Sequence, residues 1–233
     1  MGSSPARLLD TLFARLFPSR CIGCGLRGVV VCADCRSTIP WLPQAVCPLC
    51  AAPSRLARIC PGCRDEPLRL DGARAACAFE GVTRKAVHDL KYRGLQDHAA
   101  FLAELLAQAI ERRPLAVDLL VPIPLAPGRR RQRGFNQSEL IGQHLAGRLS
   151  APMMSAVLVR TRETPRQVGR TAAERRANIE GAFTCAMPEV VRGRRVAVVD
   201  DVMTTGATLG VAAEALRVAG ASRVYGLAVA REI

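Results

Sequence analysis

The sequence predicts an α/β fold, a largely parallel sheet flanked by helices, preceded by a small cysteine-rich module. Three observations carry this. Four C-x-x-C pairs fall within residues 21–63. Beyond about residue 70 the pairs stop and strand and helix patterns alternate, as they do where crossover helices connect parallel strands. The apolar run Val196, Ala197, Val198 and Val199 reads as a strand buried on both faces, and it ends in two aspartates.

At 233 residues the chain is longer than a usual domain of roughly 100–200 residues, which suggests one full domain with an appendage. Residues 1–18 place Leu8, Leu9, Leu12, Phe13, Leu16 and Phe17 at helical spacing, interrupted by Arg7, Asp10 and Arg15. That is an amphipathic helix suited to packing on the rest of the protein, with a membrane-surface anchor as the alternative. The cysteine module spans 19–69 and the α/β domain 70–233. Within the latter, strands are expected at about 75–79, 118–123, 155–160, 195–200 and 223–229. Helices are expected at about 82–91, 97–112, 138–149, 172–178 and 207–219.

Hydrophobic residues make up 49% of the chain. No stretch approaches the ~18 uncharged apolar residues of a spanning helix, and no secretory h-region is seen, so a cytoplasmic protein without a membrane span is expected. The formal net charge of +13 is almost wholly arginine, since Lys85 and Lys91 are the only lysines. Such a balance suits phosphate esters or nucleic acid, but a codon-biased genome produces it equally well.

Cys21, Cys24, Cys32, Cys35, Cys47, Cys50, Cys60 and Cys63 form the four pairs. Each pair makes a knuckle that points two thiolates at one metal, and two knuckles complete the four-thiolate shell that Zn²⁺ prefers, so eight ligands imply two zinc ions. The separations favour successive pairs, Cys21 to Cys35 for one ion and Cys47 to Cys63 for the other, with interleaved pairing as the alternative. Disulfides conflict with a reducing compartment, a thioredoxin motif occurs singly, and iron–sulfur spacings differ. The segment is too poor in apolar residues to fold unaided, so metal binding supplies its folding free energy. Cys77 and Cys185 lie outside the pattern and read as ordinary buried thiols.

Asp200 and Asp201 end a central strand, where open α/β sheets bind ligands. Thr204, Thr205, Gly206, Ala207 and Thr208 follow and lead into an apolar helix. Such a loop directs backbone N–H groups and the positive end of the helix dipole at one point, a phosphate cradle. The carboxylates can accept hydrogen bonds from a vicinal diol. Ribose 5-phosphate offers both groups. The bland alternative is a strand-turn-helix in which the threonines only cap and turn. A Walker lysine and a G-x-G-x-x-G are both lacking from this string.

The string VAVVDDVMTTGAT at 196–208 resembles the signature of type I phosphoribosyltransferases. Together with the eight cysteines, LKYRG at 90–94, VPIPL at 121–125, RGFNQ at 133–137 and ERRANIEGAF at 174–183, it identifies the chain as similar to the ComF family over nearly its whole length. The resemblance implies a type I phosphoribosyltransferase fold behind a double zinc ribbon. It implies Mg²⁺ bound with 5-phosphoribosyl-1-pyrophosphate, and phosphoribosyl transfer to an acceptor that the sequence does not name. It also implies a role in handling single-stranded DNA during natural transformation, with single-stranded DNA or competence proteins as partners.

Carried onto this chain, Asp200 and Asp201 would hold the ribose hydroxyls and serve catalysis, and Thr204 through Thr208 would hold the 5-phosphate. Residues 123–126, with Pro124 and Leu125, would correspond to the pyrophosphate loop, without the glycines or lysine common in nucleotide salvage enzymes. Arg129, Arg130, Arg131 and Arg133 form a cationic stretch able to offset pyrophosphate charge. Arg133, Asn136 and Gln137 stand immediately before a helix and are the preferred site candidates. Segment 160–181 fits a flap that closes over substrate, with Arg175 and Asn178 as its positions of interest. Lys91 or Tyr92 could face the acceptor. The alternative function is a nucleic-acid-binding accessory whose phosphoribosyl site is regulatory or vestigial.

Overall fold

The structure, a computed structural model, describes residues 19–161 and 181–233. The expected helices at 1–18 and 172–178, Arg175 and Asn178 lie outside the described residues.

The chain opens with two copies of one small motif. A hairpin bridged at Arg20 and Arg27 carries Cys21 and Cys24, and helix α1 (Ala33–Ser37), capped by Cys32, supplies Cys35. A second hairpin, bridged at Val46 and Pro53, carries Cys47 and Cys50. Helix α2 (Pro61–Asp65), capped by Cys60, then supplies Cys63. Five-residue helices do not persist alone in water, so something else must hold them.

The sulfurs show what does. Each successive foursome brings its Sγ atoms within 4.8 Å of one another. Sγ separations are 3.7 Å for Cys21 and Cys32, 3.7 Å for Cys24 and Cys32, and 3.6 Å for Cys50 and Cys60. A tetrahedron with metal–sulfur bonds of about 2.3 Å has edges of about 3.8 Å, so both clusters have the size of a Zn²⁺ shell, and the all-sulfur donor set suits that ion. Backbone N–H groups of Cys32 and Cys60 donate to the Sγ atoms of Cys21 and Cys47, both at 3.4 Å, which helps to hold thiolate charge. Gly23 is required here, because a Cβ would sit 2.4 Å from Cys35 Sγ.

The remaining elements are β1 (Gly72–Ala78), α3 (Gly81–Arg93), α4 (His98–Arg112), β2 (Leu119–Pro122), α5 (Pro127–Arg133) and α6 (Gln137–Leu149). They continue with β3 (Leu158–Arg160), β4 (Phe183–Cys185), α7 (Pro188–Val191), β5 (Arg195–Met203), α8 (Ala207–Val218) and β6 (Arg223–Arg231). The main sheet has the order β1-β6-β5-β2 with every pairing parallel. Strand alternation splits the core between its faces. Ala197, Val199, Leu227 and Val229 pack under Leu90, Leu102, Leu106, Ile141 and Leu145 of α3, α4 and α6. Val196, Val198 and Val224 pack under Leu209, Ala213 and Leu216 of α8, together with Cys47, Cys50, Cys63, Leu68 and Leu70.

The cysteine motifs therefore straddle an edge of the sheet. Between them the chain runs along β1: Leu42 N–H donates to Ala76 O at 3.0 Å, Ala78 N–H to Pro40 O at 2.8 Å and Ala73 N–H to Pro48 O at 2.8 Å. An open strand edge is a template for aggregation, and this one is covered. Arg36 pairs with Glu104 of α4, Arg112 lies 4.3 Å from the centroid of Trp41, and Arg231 Nη1 donates to Cys50 O at 2.7 Å. At the start of the central strands Arg195 grips Asp118 bidentately, at 2.6 and 3.0 Å. Those bonds hold the Asp118 carboxyl down at about 2.

The strand expected at 155–160 departs from the sequence reading, and β4, α5 and α7 have no counterpart in it. That strand does not join the parallel sheet. Leu158–Arg160 pairs antiparallel with Phe183–Cys185, while residues 152–154 bond the outer side of β2 through Leu120. A short apolar run is compatible with either pairing, and β4 carries too few residues to announce itself. Helix α5 has no apolar period, since it reads PGRRRQR, and it is held by Pro127 at its start and left-handed Gly134 at its end.

Metal analysis of the purified chain is expected to return two zinc ions, and Cys50→Ser/Cys60→Ser to retain about one. Because the second cluster belongs to the α8-side core, that variant should melt lower than Cys24→Ser/Cys35→Ser. A full complement of zinc in either double variant would contradict the grouping.

Candidate functional site

The site begins with an inequality of strand length. Pairing between β2 and β5 stops at Pro122 and Val199, whereas β5 continues beside β6 as far as Met203 and Arg231. After Ile123 N–H donates to Val199 O at 2.9 Å, the chain leaves the sheet through residues 123–126. Asp200 and Asp201 thus lie inside a strand, not beyond its end, where the neighbour on one side has gone. A crevice at the carboxyl ends of parallel strands is where such sheets bind ligands.

Asp201 shares its strand face with Ala197 and Val199 and is 3% exposed. Lys91 of α3 pairs with its Oδ2, and Gln137 Nε2 donates to its Oδ1 at 3.2 Å. Burial by itself would raise this carboxyl, but the Lys91 ammonium and the donated hydrogen bonds outweigh it and hold Asp201 below the usual range. Asp200 behaves oppositely. Burial and the neighbouring charge of Asp201 push it up to about 8. Ser138 Oγ and the backbone N–H of Asp201 donate to it at 3.0 and 2.9 Å, both on Oδ1.

The RGFNQ segment explains how these partners are delivered. Gly134, at φ +81°, ends α5, and Asn136 opens α6 by accepting from Ser138 N–H at 3.1 Å. Asn136 Nδ2 also donates to Ile123 O at 2.9 Å, tying the loop after β2 to the same helix. Gln137 Oε1 accepts from Arg133 Nη1, and the Arg133 guanidinium stands 5.6 Å from the centroid of Tyr92.

Beyond Met203 the chain turns through Thr204, Thr205 and Gly206 into the 12-residue helix α8. Gly206 has φ +84°, a conformation other residues resist, and a Cβ there would lie 2.7 Å from Leu68 Cδ1. Thr205 Oγ1 accepts from Ala207 N–H at 3.3 Å. The first N–H groups of α8 lack intrahelical partners and stand at the positive end of its dipole. Leu68 arrives on the strap that follows α2. The strap is pinned by the Arg69–Glu214 ion pair and by Arg217 Nε donating to Arg69 O at 3.4 Å.

Asp200, Asp201, Arg133, Asn136 and Gln137 are therefore brought into one network, with Thr204 through Thr208 continuing from it. Pro124 and Leu125 are partly buried in the irregular segment between β2 and α5. Arg129, Arg130 and Arg131 do not join them. They are exposed on α5, and Arg130 pairs with Glu139 at 3.6 Å, because only the last turn of that helix faces the acidic pair. Sequence reasoning missed Ser138, which reading RGFNQS as a helix cap would have offered. It also missed Leu68, for which no local signal exists. Cys77 is a buried thiol, raised to about 11 chiefly by burial.

A double zinc ribbon domain model matches residues 12–78, and a phosphoribosyl transferase domain model matches residues 136–231. The DNA utilization protein YhgH of Escherichia coli O157:H7 is 31% identical over 200 residues, 83% of this chain and 87% of that protein. Competence protein F of Haemophilus influenzae is 39% identical over 114 residues, 48% of this chain and 50% of its own length. Competence protein ComFC of Bacillus subtilis is 26% identical over 196 residues, covering 80% and 77%. The glutamine phosphoribosylpyrophosphate amidotransferase of B. subtilis overlays 55% of this chain and 25% of its own, at 23% identity and a TM-score of 0.38. With a four-strand parallel sheet, two four-cysteine clusters and relatives aligned along most of its length, this chain belongs to the ComF family.

Proposed function

We propose that this protein binds 5-phosphoribosyl-1-pyrophosphate with Mg²⁺ and transfers its phosphoribosyl group to an acceptor, as a cytoplasmic step in the use of incoming DNA. The observation that carries the reading is the placement of a carboxylate pair and a helix-end N–H cradle on one strand-loop-helix unit, β5 to α8. Thr204, Thr205, Gly206, Ala207 and Thr208 take the 5-phosphate, and the acidic pair lies on the side of the ribose hydroxyls. The backbone at Pro124 and Leu125 and the Arg133 region lie toward the diphosphate, with Asn136 and Gln137 fixing the network. Arg175, a candidate from the sequence alone, lies outside the described residues. Mg²⁺ supplies positive charge against the departing diphosphate. The protein positions the reacting carbon, shields it from water and offers fixed donors to the developing charge. The module at 19–69 braces the domain at 70–233.

A second reading, a single-stranded nucleic-acid-binding accessory, is favoured by exposed Arg129, Arg130 and Arg131 and by the names of the relatives. A salt series separates it: a log–log slope of binding near zero means few phosphates are neutralised and removes it.

Calorimetry with 5-phosphoribosyl-1-pyrophosphate and Mg²⁺ is expected to show binding by the intact chain and none by Asp200→Asn/Asp201→Asn; no binding by the intact chain sinks the proposal. The proton balance has a sign. With its carboxyl raised to about 8, Asp200 is mostly protonated in the free protein at pH 7 and must ionise to meet a cation or a diol. Binding at pH 7 should release about one proton, seen as a dependence of the heat on buffer ionisation, and affinity should rise toward pH 9. Gly206→Ala should weaken binding at least tenfold through its positive φ and the Leu68 contact, with zinc content unchanged.

A further inference from the structure

The two carboxylates of the acidic pair are not equivalent. Asp201 is 3% exposed and both of its oxygens are engaged, Oδ2 by Lys91 Nζ and Oδ1 by Gln137 Nε2. Gln137 is in turn fixed by Arg133. Asp200 is half-buried, and the bonds it accepts from Ser138 and from Asp201 N–H fall on one oxygen. Asp200 is thus the more exposed carboxylate of the two. Asp201 keeps lone pairs of its own, but at 3% exposed, with Lys91 and Gln137 on its two oxygens, it has little surface to offer an entering hydroxyl.

Lys91 is the unusual partner. Of 33 basic residues only two are lysines, and one of them lies against this buried carboxylate. An arginine presents a planar fork that a carboxylate occupies as a unit. An ammonium is a compact charge with three N–H groups, so one can serve Asp201 while the others point elsewhere. The Lys91 side chain is 21% exposed, so its ammonium is not fully enclosed by the pair. The loop after β2 reads Ile-Pro-Leu-Ala and brings no cation of its own.

We propose that Lys91, held in place by Asp201, is the cation this site presents to the diphosphate of its ligand, with Asp201 a positioning residue and Asp200 the carboxylate that meets the ribose hydroxyls. This rests on the phosphoribosyl reading above and divides the labour that the acidic pair would otherwise share.

Calorimetry in the presence of Mg²⁺ with three probes, 5-phosphoribosyl-1-pyrophosphate, inorganic pyrophosphate and ribose 5-phosphate, tests it. Lys91→Met is expected to weaken the two diphosphates by on the order of tenfold or more and to change ribose 5-phosphate less than about twofold, the size of one charge-assisted contact. Asp200→Asn should do the reverse, weakening ribose 5-phosphate most. Lys91→Met leaves Asp201 unpaired, so Lys91→Met/Asp201→Asn, which removes both charges, is measured beside it. Zinc content and melting verify the fold, and the double variant should show the same selective loss. Equal losses for all three probes, unchanged diphosphate affinity, or tighter binding without Lys91 would overturn the assignment while leaving the ligand intact. An intact chain that binds none of the probes overturns the proposed function and this assignment with it.

Discussion

Everything at the site depends on β5 outrunning β2. A parallel strand with neighbours on both sides uses its backbone polar groups in the ladder, and its side chains belong to the core. Here one neighbour stops at Pro122, while β6 continues beside the strand to its end. The last residues of β5 are therefore rigid on one side and open on the other. Two aspartates can occupy that place because α3 and α6 bring Lys91, Gln137 and Ser138 to meet them. Both carboxylates meet α6, Asp201 through Gln137 and Asp200 through Ser138, but only Asp201 is paired with Lys91, so one is pushed up while the other is held down.

The cysteine module is bound into the same arrangement. It covers the free edge of β1 with backbone hydrogen bonds and contributes Cys47, Cys50 and Cys63 to the α8-side core. Its outgoing strap lays Leu68 where any side chain at position 206 would have to be. Metal binding in the second cluster, the strap and the geometry of the glycine loop are thus mechanically continuous.

Much of this was legible in the sequence where chemistry is local. The C-x-x-C spacing fixed eight ligands, although only the sulfur positions choose successive over interleaved pairing. The apolar run before Asp200 and the small loop after it gave the strand, turn and helix. Helices α4 and α6 lie within a residue of their expected starts, because each carries a clear apolar period. Features set by distant residues were not legible. The pairing of 158–160 with 183–185 depends on two short runs of ambiguous preference. Lys91 gave no sign that its partner lies 110 positions away in Asp201 rather than in an acceptor. Arg129 through Arg133 read as one cationic block, and only the helical turn of α5 divides Arg133 from the others.

Ionisation in the free site is arranged so that the buried pair carries little net charge: Lys91 offsets Asp201, and Asp200 retains its proton near neutrality. A ligand that bears anionic phosphate and hydroxyls and arrives with a cation can draw the proton from Asp200 without leaving unbalanced charge in the site. The most direct measurement is a crystal structure of the chain grown with Mg²⁺ and 5-phosphoribosyl-1-pyrophosphate. The account predicts the 5-phosphate on the N–H groups of residues 204–208, the ribose hydroxyls on Asp200, and Lys91 still touching Asp201. Ligand density elsewhere on the protein, or an acidic pair left empty beside a bound phosphate, would contradict it.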